Sequence, residues 1–249
     1  MKSRVSIAFP LAFFALVSGL LHVSVSARQQ PWQPLRSEFR ATHGVVAAGR
    51  TFVAEAGAQI LSSGGNAVDA GVASVFAAAV VEISHFGLGG EAPIIIYLAK
   101  ENRVVVINGQ GSAPNAATPQ LFAGKTAIPG NGPLGATIPA VVDAAALALE
   151  RYGTKSLSEV LAPAIVLADG FPMYQFLHNY LESERKASSA YEWSVKTYYG
   201  SGGVTPTGEM FRQPNLASTL RALAAAEQAA ITTGASRAQA IQAGRDAFY

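Results

Sequence analysis

Residues 64–98 read GGNAVDAGVASVFAAAVVEISHFGLGGEAPIIIYL, and the order of elements in this stretch decides the fold. Gly64 and Gly65 close a preceding helix, because glycine adopts the positive φ of a helix end without steric penalty. Asn66 opens the next helix: its side-chain oxygen accepts from a first-turn amide, and Asp69 places a negative charge at the positive end of the dipole. From Ala67 to Val81 the spacing leaves no polar face. Val68, Val72, Val75 and Ala79 make one stripe, and Ala70, Ala73, Ala77 and Val81 cover much of the rest. A helix apolar all round belongs inside a core, and one shorter than the roughly 20 residues that cross a bilayer reads as buried in protein.

After Glu82 the loop His85–Glu91 leads into Pro93–Leu98, an isoleucine-rich run that predicts a buried strand. Helix, loop, strand is the reverse of the order that aims a helix N-terminus at a phosphate. Gly87-Leu88-Gly89-Gly90 has neither the dinucleotide-binding spacing nor a P-loop lysine, so nucleotide binding is not expected.

Working outward, His43–Ala48 predicts a short strand and Phe52–Leu61 a helix with Ala54, Ala58 and Leu61 on one face. Val104–Asn108 predicts a second strand, joined to the first through Lys100-Glu101-Asn102 as a hairpin. Gly109-Gln110-Gly111-Ser112 then leaves the sheet, its glycines allowing close backbone approach. Pro114–Pro133 reads as loop. Thr137 is the expected cap of a helix from Ile138 to Tyr152, with Gly153 closing it. Ser156–Glu159 is a capping box, Pro163 breaks or restarts the helix that follows, and Gly170 ends it. Tyr174–Ala190 reads as a mixed helix with His178, Glu182, Glu184, Arg185 and Lys186 on its solvated side. Two last helices start at Gln213-Pro214 and at Ser236.

These motifs carry a resemblance. Gly64–Ala73, Gly87-Leu-Gly-Gly90, Ala113-Pro114 and Leu161–Pro172 (LAPAIVLADGFP) resemble, in order, the N-terminal large-subunit half of the γ-glutamyltransferase (glutathione hydrolase) family of N-terminal-nucleophile hydrolases. The resemblance runs from His43 to Tyr249. It implies an α+β fold, a helix-rich part of an αββα sandwich with an incomplete β-sheet. It also implies a precursor that cuts itself, so that the new N-terminal threonine of a small subunit becomes the nucleophile, with its own amine as base. That threonine belongs to a Thr-Thr-His-like segment beyond this chain. Thr232-Thr233 is followed by Gly234 and reads as a helix end. No catalytic residue is therefore assigned here. The implied partners are a small subunit or C-terminal segment supplying the threonine, and a small γ-glutamyl or acyl amide substrate. No cofactor and no metal are expected.

One position departs from the family pattern. Where the family has arginine followed by glutamate before Ala-Pro, this chain has Gln110-Gly111. The resemblance assigns that arginine to the substrate α-carboxylate, and a neutral amide cannot make the same charge-assisted pair. Gln110 is read either as the contact for a different acyl or amide substrate, or as a polar loop residue.

Met1–Arg4, the apolar run Val5–Leu21 and Val25-Ser26-Ala27 predict a secretory signal peptide over residues 1–27, with a retained anchor as the alternative. Residues 28–42 then form a linker and residues 43–249 the domain, exported and without stable membrane insertion after cleavage. Without Lys2 and Arg4 the chain carries 16 basic and 16 acidic residues. That balance gives no basic patch for nucleic acid. Cysteine is absent, which excludes disulfides and thiolate chemistry. His43, His85 and His178 have no metal-ligand spacing and read as loop or surface residues. No serine sits in a Gly-x-Ser-x-Gly elbow, and Asp69 is better explained by the helix start than as an acid or base alongside Glu82 and Glu91.

A single clear hairpin is marginal without more strands or a covering layer. The chain is thus expected to be a truncated or separately encoded large-subunit portion, inactive alone. The alternatives are a catalytically inactive ligand-binding or scaffold protein that keeps the Gly109–Ser112 loop, and a gene fragment.

Overall fold

Three helices begin where a side chain and the residue three positions on satisfy each other's first-turn amides: Asn66 with Asp69, Ser156 with Glu159, and Ser236 with Gln239. A computed structural model describes residues 38–130 and 132–249. The expected signal peptide and most of the linker lie outside the described residues. Thr42–Tyr249 form one compact unit.

Within it, α1 (Thr51–Ser62) and α2 (Ala67–Val81) form a helical hairpin, followed by the strands β1 (Ile94–Leu98) and β2 (Arg103–Ile107). Next come α3 (Val141–Tyr152), α4 (Leu157–Asp169), the two-residue strand β3 (Phe171–Pro172) and α5 (Gln175–Ser188). A helical turn at Glu192–Ser194 runs into a π-helix at Val195–Tyr199. The unit ends with β4 (Met210–Phe211), α6 (Pro214–Thr232) and α7 (Arg237–Asp246). β1 and β2 pair antiparallel from Ile94↔Ile107 to Leu98↔Arg103, and β3 pairs antiparallel with β4. The chain is α+β, helix-rich, with little sheet among the described residues.

The central helix is α2, which packs against α1, α3 and α4. Ala73, Phe76, Ala77, Val80 and Val81 are fully buried. A helix buried end-on needs partners for its terminal carbonyls, and they come from far along the chain: Gln213 Nε2 donates to Val80 O (2.7 Å) and Tyr174 Oη to Val81 O (2.9 Å). At the other end Asp69, fully buried, accepts from Asn66 N (2.7 Å), Thr154 N (2.8 Å), Thr154 Oγ1 (2.7 Å) and Lys155 N (3.0 Å). Asp69 is therefore more than a helix-start residue: it ties the α3–α4 turn to α2. Glu227 on α6 does the same for α4, accepting from Leu157 N (2.6 Å), Ser158 N (2.7 Å) and Ser158 Oγ.

Several expectations need correction. Residues 43–48 form no strand among the described residues; an extended segment becomes a strand only beside a hydrogen-bonding edge, although Val46 still packs on the core. The inner face of α1 is Val53, Ala56, Gly57 and Ile60, with Ala58 exposed, because that side meets α2. α3 starts at Val141 and Thr137 does not cap it; bonds to Ser112 O and Gly90 O hold Ile138 and Ala140 outside the helix. Pro163 leaves α4 unbroken. His178 is half-buried, its Nδ1 3.0 Å from Thr205 O, and Glu184 is half-buried too. The strand expected to be buried is not: Ile95 (75%) and Tyr97 (60%) on β1, with Val104 (59%) and Val106 (66%) on β2, lie exposed on one face of the hairpin.

Two predictions follow from the buried carboxylates. Glu227→Gln is expected to lower the urea unfolding free energy by about 2 kcal/mol, since charged hydrogen bonds contribute roughly 1.5–3 kcal/mol each and the amide retains only some of the acceptor capacity. Burial by itself would raise the Asp69 carboxyl pKa, but the Lys155, Thr154 and Asn66 donors outweigh it and hold the group below its ordinary value. Its stabilisation is therefore full above the unfolded carboxylate pKa of about 3.9 and is lost as pH falls toward the lower folded value. Acid titration of Asp69→Asn should show a lower plateau at neutral pH and a shallower loss below pH ~4.

Candidate functional site

The hairpin ends in a loop pinned by close backbone contacts. Gly109, at φ 56°, accepts from Ala92 N (2.9 Å) through its carbonyl, and a Cβ on it would lie 2.0 Å from Ala92 O. A Cβ on Gly111 would lie 2.2 Å from Ile138 O. Only glycine fits at either position. Ser112 O then accepts from Ile138 N (2.9 Å), and Gly90 O accepts from Ala140 N (3.0 Å). Three segments that are distant in sequence therefore meet: Gly87–Ala92, Gly109–Ser112 and Thr137–Ala140.

Gln110 stands between the two pinned glycines. Its side chain is exposed and makes no hydrogen bond among the described residues. A polar side chain on a fixed loop, free of internal partners, can approach a ligand from the strand end.

The entry to α3 completes this support. Its N-cap, Ala140, supplies no side-chain cap, and the Tyr249 hydroxyl does so instead, accepting from Asp143 N (3.2 Å) and donating to Pro139 O (2.9 Å). Arg245 Nε lies 2.5 Å from Asp143 Oδ1. Nothing local in the sequence signals these contacts, which join residues more than 100 positions apart.

The other sequence candidates stay apart from this site. His85 lies beside Ser84 Oγ (2.7 Å) and stacks on Phe176, with ring centroids 6.0 Å apart. No carboxylate hydrogen-bonds to it among the described residues. The Glu82 carboxylate lies against Gly49. Thr232 and Thr233 bond to carbonyls of their own helix end, Gln228 O and Ala230 O, as expected of a terminus. Among the described residues no group of three His, Asp or Glu side chains is placed to hold a metal ion.

Helices α2, α3 and α4 thus pack beside an apolar hairpin with a glycine-pinned loop at the strand end. The γ-glutamyltranspeptidase of Helicobacter pylori has this fold: it superposes with a TM-score of 0.71 at 31% identity, over 75% of this chain and 55% of that one. The gamma-glutamyltranspeptidase family model matches residues 53–244, and this chain belongs to that family.

Among its relatives, the glutathione hydrolase-like YwrD proenzyme of Bacillus subtilis is 36% identical over 197 residues, 78% of this chain and 37% of the relative. The oxamate amidohydrolase proenzyme of Klebsiella pneumoniae is 32% identical over 190 residues, 74% of this chain and 36% of the relative. The chain thus spans a little over a third of the length of these proenzymes.

The geometry separates scaffold from contact. Gly111→Ala is expected to lower the thermal midpoint by several degrees, since the added methyl must displace backbone. Gln110→Ala should change stability by less than about 0.5 kcal/mol, as surface substitutions do. A large loss of stability in Gln110→Ala, read by differential scanning calorimetry, would assign Gln110 a packing role instead.

Proposed function

We propose that this chain provides the helix layer, one hairpin and one wall of the acyl pocket of an exported amide hydrolase or acyl transferase, whose threonine nucleophile comes from a complementary small subunit or C-terminal segment. The observation that carries this reading is the uncovered apolar face of the hairpin. Ile95, Tyr97, Val104 and Val106 are contiguous on it, and a two-stranded ribbon with such a face is not self-sufficient. A groove of about 410 Å³ between α2 and β1, lined by Val68, Gly71, Val75 and Ile96, leaves the inner side open as well. Further strands would cover both. Export rests on the leader pattern in residues 1–27.

In the reaction the threonine hydroxyl attacks the amide carbonyl while its own amine takes the proton. The substrate's amine leaves as the C–N bond breaks, taking the proton from the threonine amine, and water or a second amine then cleaves the threonine ester to release the acyl group. Gln110 serves this scheme as a contact to the acyl group. Its amide both donates and accepts, so it fits a neutral polar terminus better than the α-amino-acid carboxylate that an arginine would hold as an ion pair. The acyl group varies among family members: relatives carry names as different as oxamate amidohydrolase and acylase.

Recovery of the protein from its own host by an antibody to residues 38–249 tests the assembly. A second polypeptide beginning with threonine, found by N-terminal sequencing, is expected together with hydrolysis of neutral acyl p-nitroanilides. Val106→Asp, on the exposed face, should leave this chain folded yet release the partner. Gln110→Arg should shift preference at least tenfold toward γ-glutamyl p-nitroanilide, one charge-assisted contact being worth that much. Turnover by purified residues 28–249 alone would refute the scheme.

A further inference from the structure

A second concave region lies on the other side of the Gly87–Gly90 loop, independent of Gln110 and of the proposed reaction. It is a cleft of about 670 Å³ between that loop, the π-helix Val195–Tyr199 and the start of α6. Its charged lining is of one sign. Lys196 and Arg212 border it, no aspartate or glutamate does, and neither cation has a carboxylate within 4.0 Å among the described residues. The Lys196 ammonium instead sits 5.2 Å from the centre of the exposed Trp193 ring. Ile83, Phe86 and Tyr198 supply apolar wall.

Gly87 and Gly89 also border the cleft, and the fold gives neither a reason to be glycine. Neither has the left-handed φ that favours glycine, and a Cβ built on either meets nothing within 4 Å. Glycine without such a reason only adds chain entropy to be lost on folding. A bare backbone beside a cationic cleft is accounted for by something that approaches it from outside.

We infer that this cleft binds a small organic anion, a carboxylate with an alkyl or aromatic body. The carboxylate sits between Lys196 and Arg212, where charge-assisted hydrogen bonds form, and the body lies on Phe86, Ile83 and Tyr198. A bare inorganic anion would leave those walls wet, so the class is organic. The wider turn of the π-helix brings Lys196, Thr197 and Tyr198 to the cleft together, a use often made of π-helical segments.

The test uses cyclohexanecarboxylate, which is transparent where tryptophan absorbs. Trp32→Phe leaves Trp193 as the sole tryptophan. Saturable change in its emission is expected with the carboxylate, and affinity at least tenfold weaker for the neutral isostere cyclohexanecarboxamide. Lys196→Met and Arg212→Met should each weaken binding about tenfold, the worth of one hydrogen bond to a charged group. Gly89→Val should keep the thermal midpoint and remove binding, because the free protein has room for the side chain and the occupied cleft does not. Calorimetric titration of both charge variants checks the same affinities without using Trp193. The inference fails if carboxylate and carboxamide bind equally, if inorganic phosphate binds as tightly as the carboxylate, if neither charge variant weakens binding, or if no saturation occurs up to the solubility limit.

Discussion

One buried carboxylate holds the helical layer together. Asp69 gathers four donors, one from Asn66 and three from Thr154 and Lys155 at the far end of α3, closing the start of α2 and the turn between α3 and α4 at once. The arrangement leaves no slack: a Cβ on Gly153 would lie 2.5 Å from Asp69 Oδ1. An ionised group in the interior is tolerable only when its acceptors are filled. Every element that docks on α2 therefore inherits the position of Asp69, and the loops of the candidate site are attached to those elements.

The same principle recurs at other helix ends. Gln213 and Tyr174 satisfy the last carbonyls of α2, Glu227 the first amides of α4, and the Arg237 guanidinium the carbonyls of Leu149 and Glu150 at the end of α3. Each is a long polar side chain reaching from a distant part of the chain. The helical part in this way meets these helix-end groups internally. The hairpin is not self-contained, since one face carries four large apolar side chains in the open. That contrast between satisfied helix ends and an unsatisfied strand pair is the physical basis for reading the chain as one half of a pocket.

The glycine-rich loop after α2 divides two surfaces. On one side Gly90 joins Ala140, and through the Thr137–Ala140 segment the loop Gly109–Ser112, in a network made almost entirely of backbone. A network of that kind holds Gln110 in place without engaging its side chain. On the other side the same loop borders a cleft whose chemistry comes from side chains, Lys196 and Arg212. Position is fixed on the first surface and charge on the second.

Much of this was legible in the residues themselves. The bounds of α2, the cap at Asn66, the capping box at Ser156, the β1–β2 hairpin and the family pattern through Gly87–Gly90 depend on neighbours within a few positions, where propensity and capping act. Gln110 stands out in the sequence as a departure from a motif, and its contact with an acyl group is the reading proposed above. What the sequence left open was every decision made by distant groups. The inner face of α1 depends on where α2 lies, and the start of α3 on bonds to Gly90 and Ser112. The roles of Glu227 and Tyr249 depend on partners 70 and 106 positions away. Residues 43–48 lack a strand for the same reason: a strand is defined by its neighbour, and its own residues specify only that they are extended. Local periodicity thus determined which segments are helix or hairpin. Only the tertiary structure decided which faces are buried and which buried polar groups meet, because those depend on contacts that do not exist until the chain has packed.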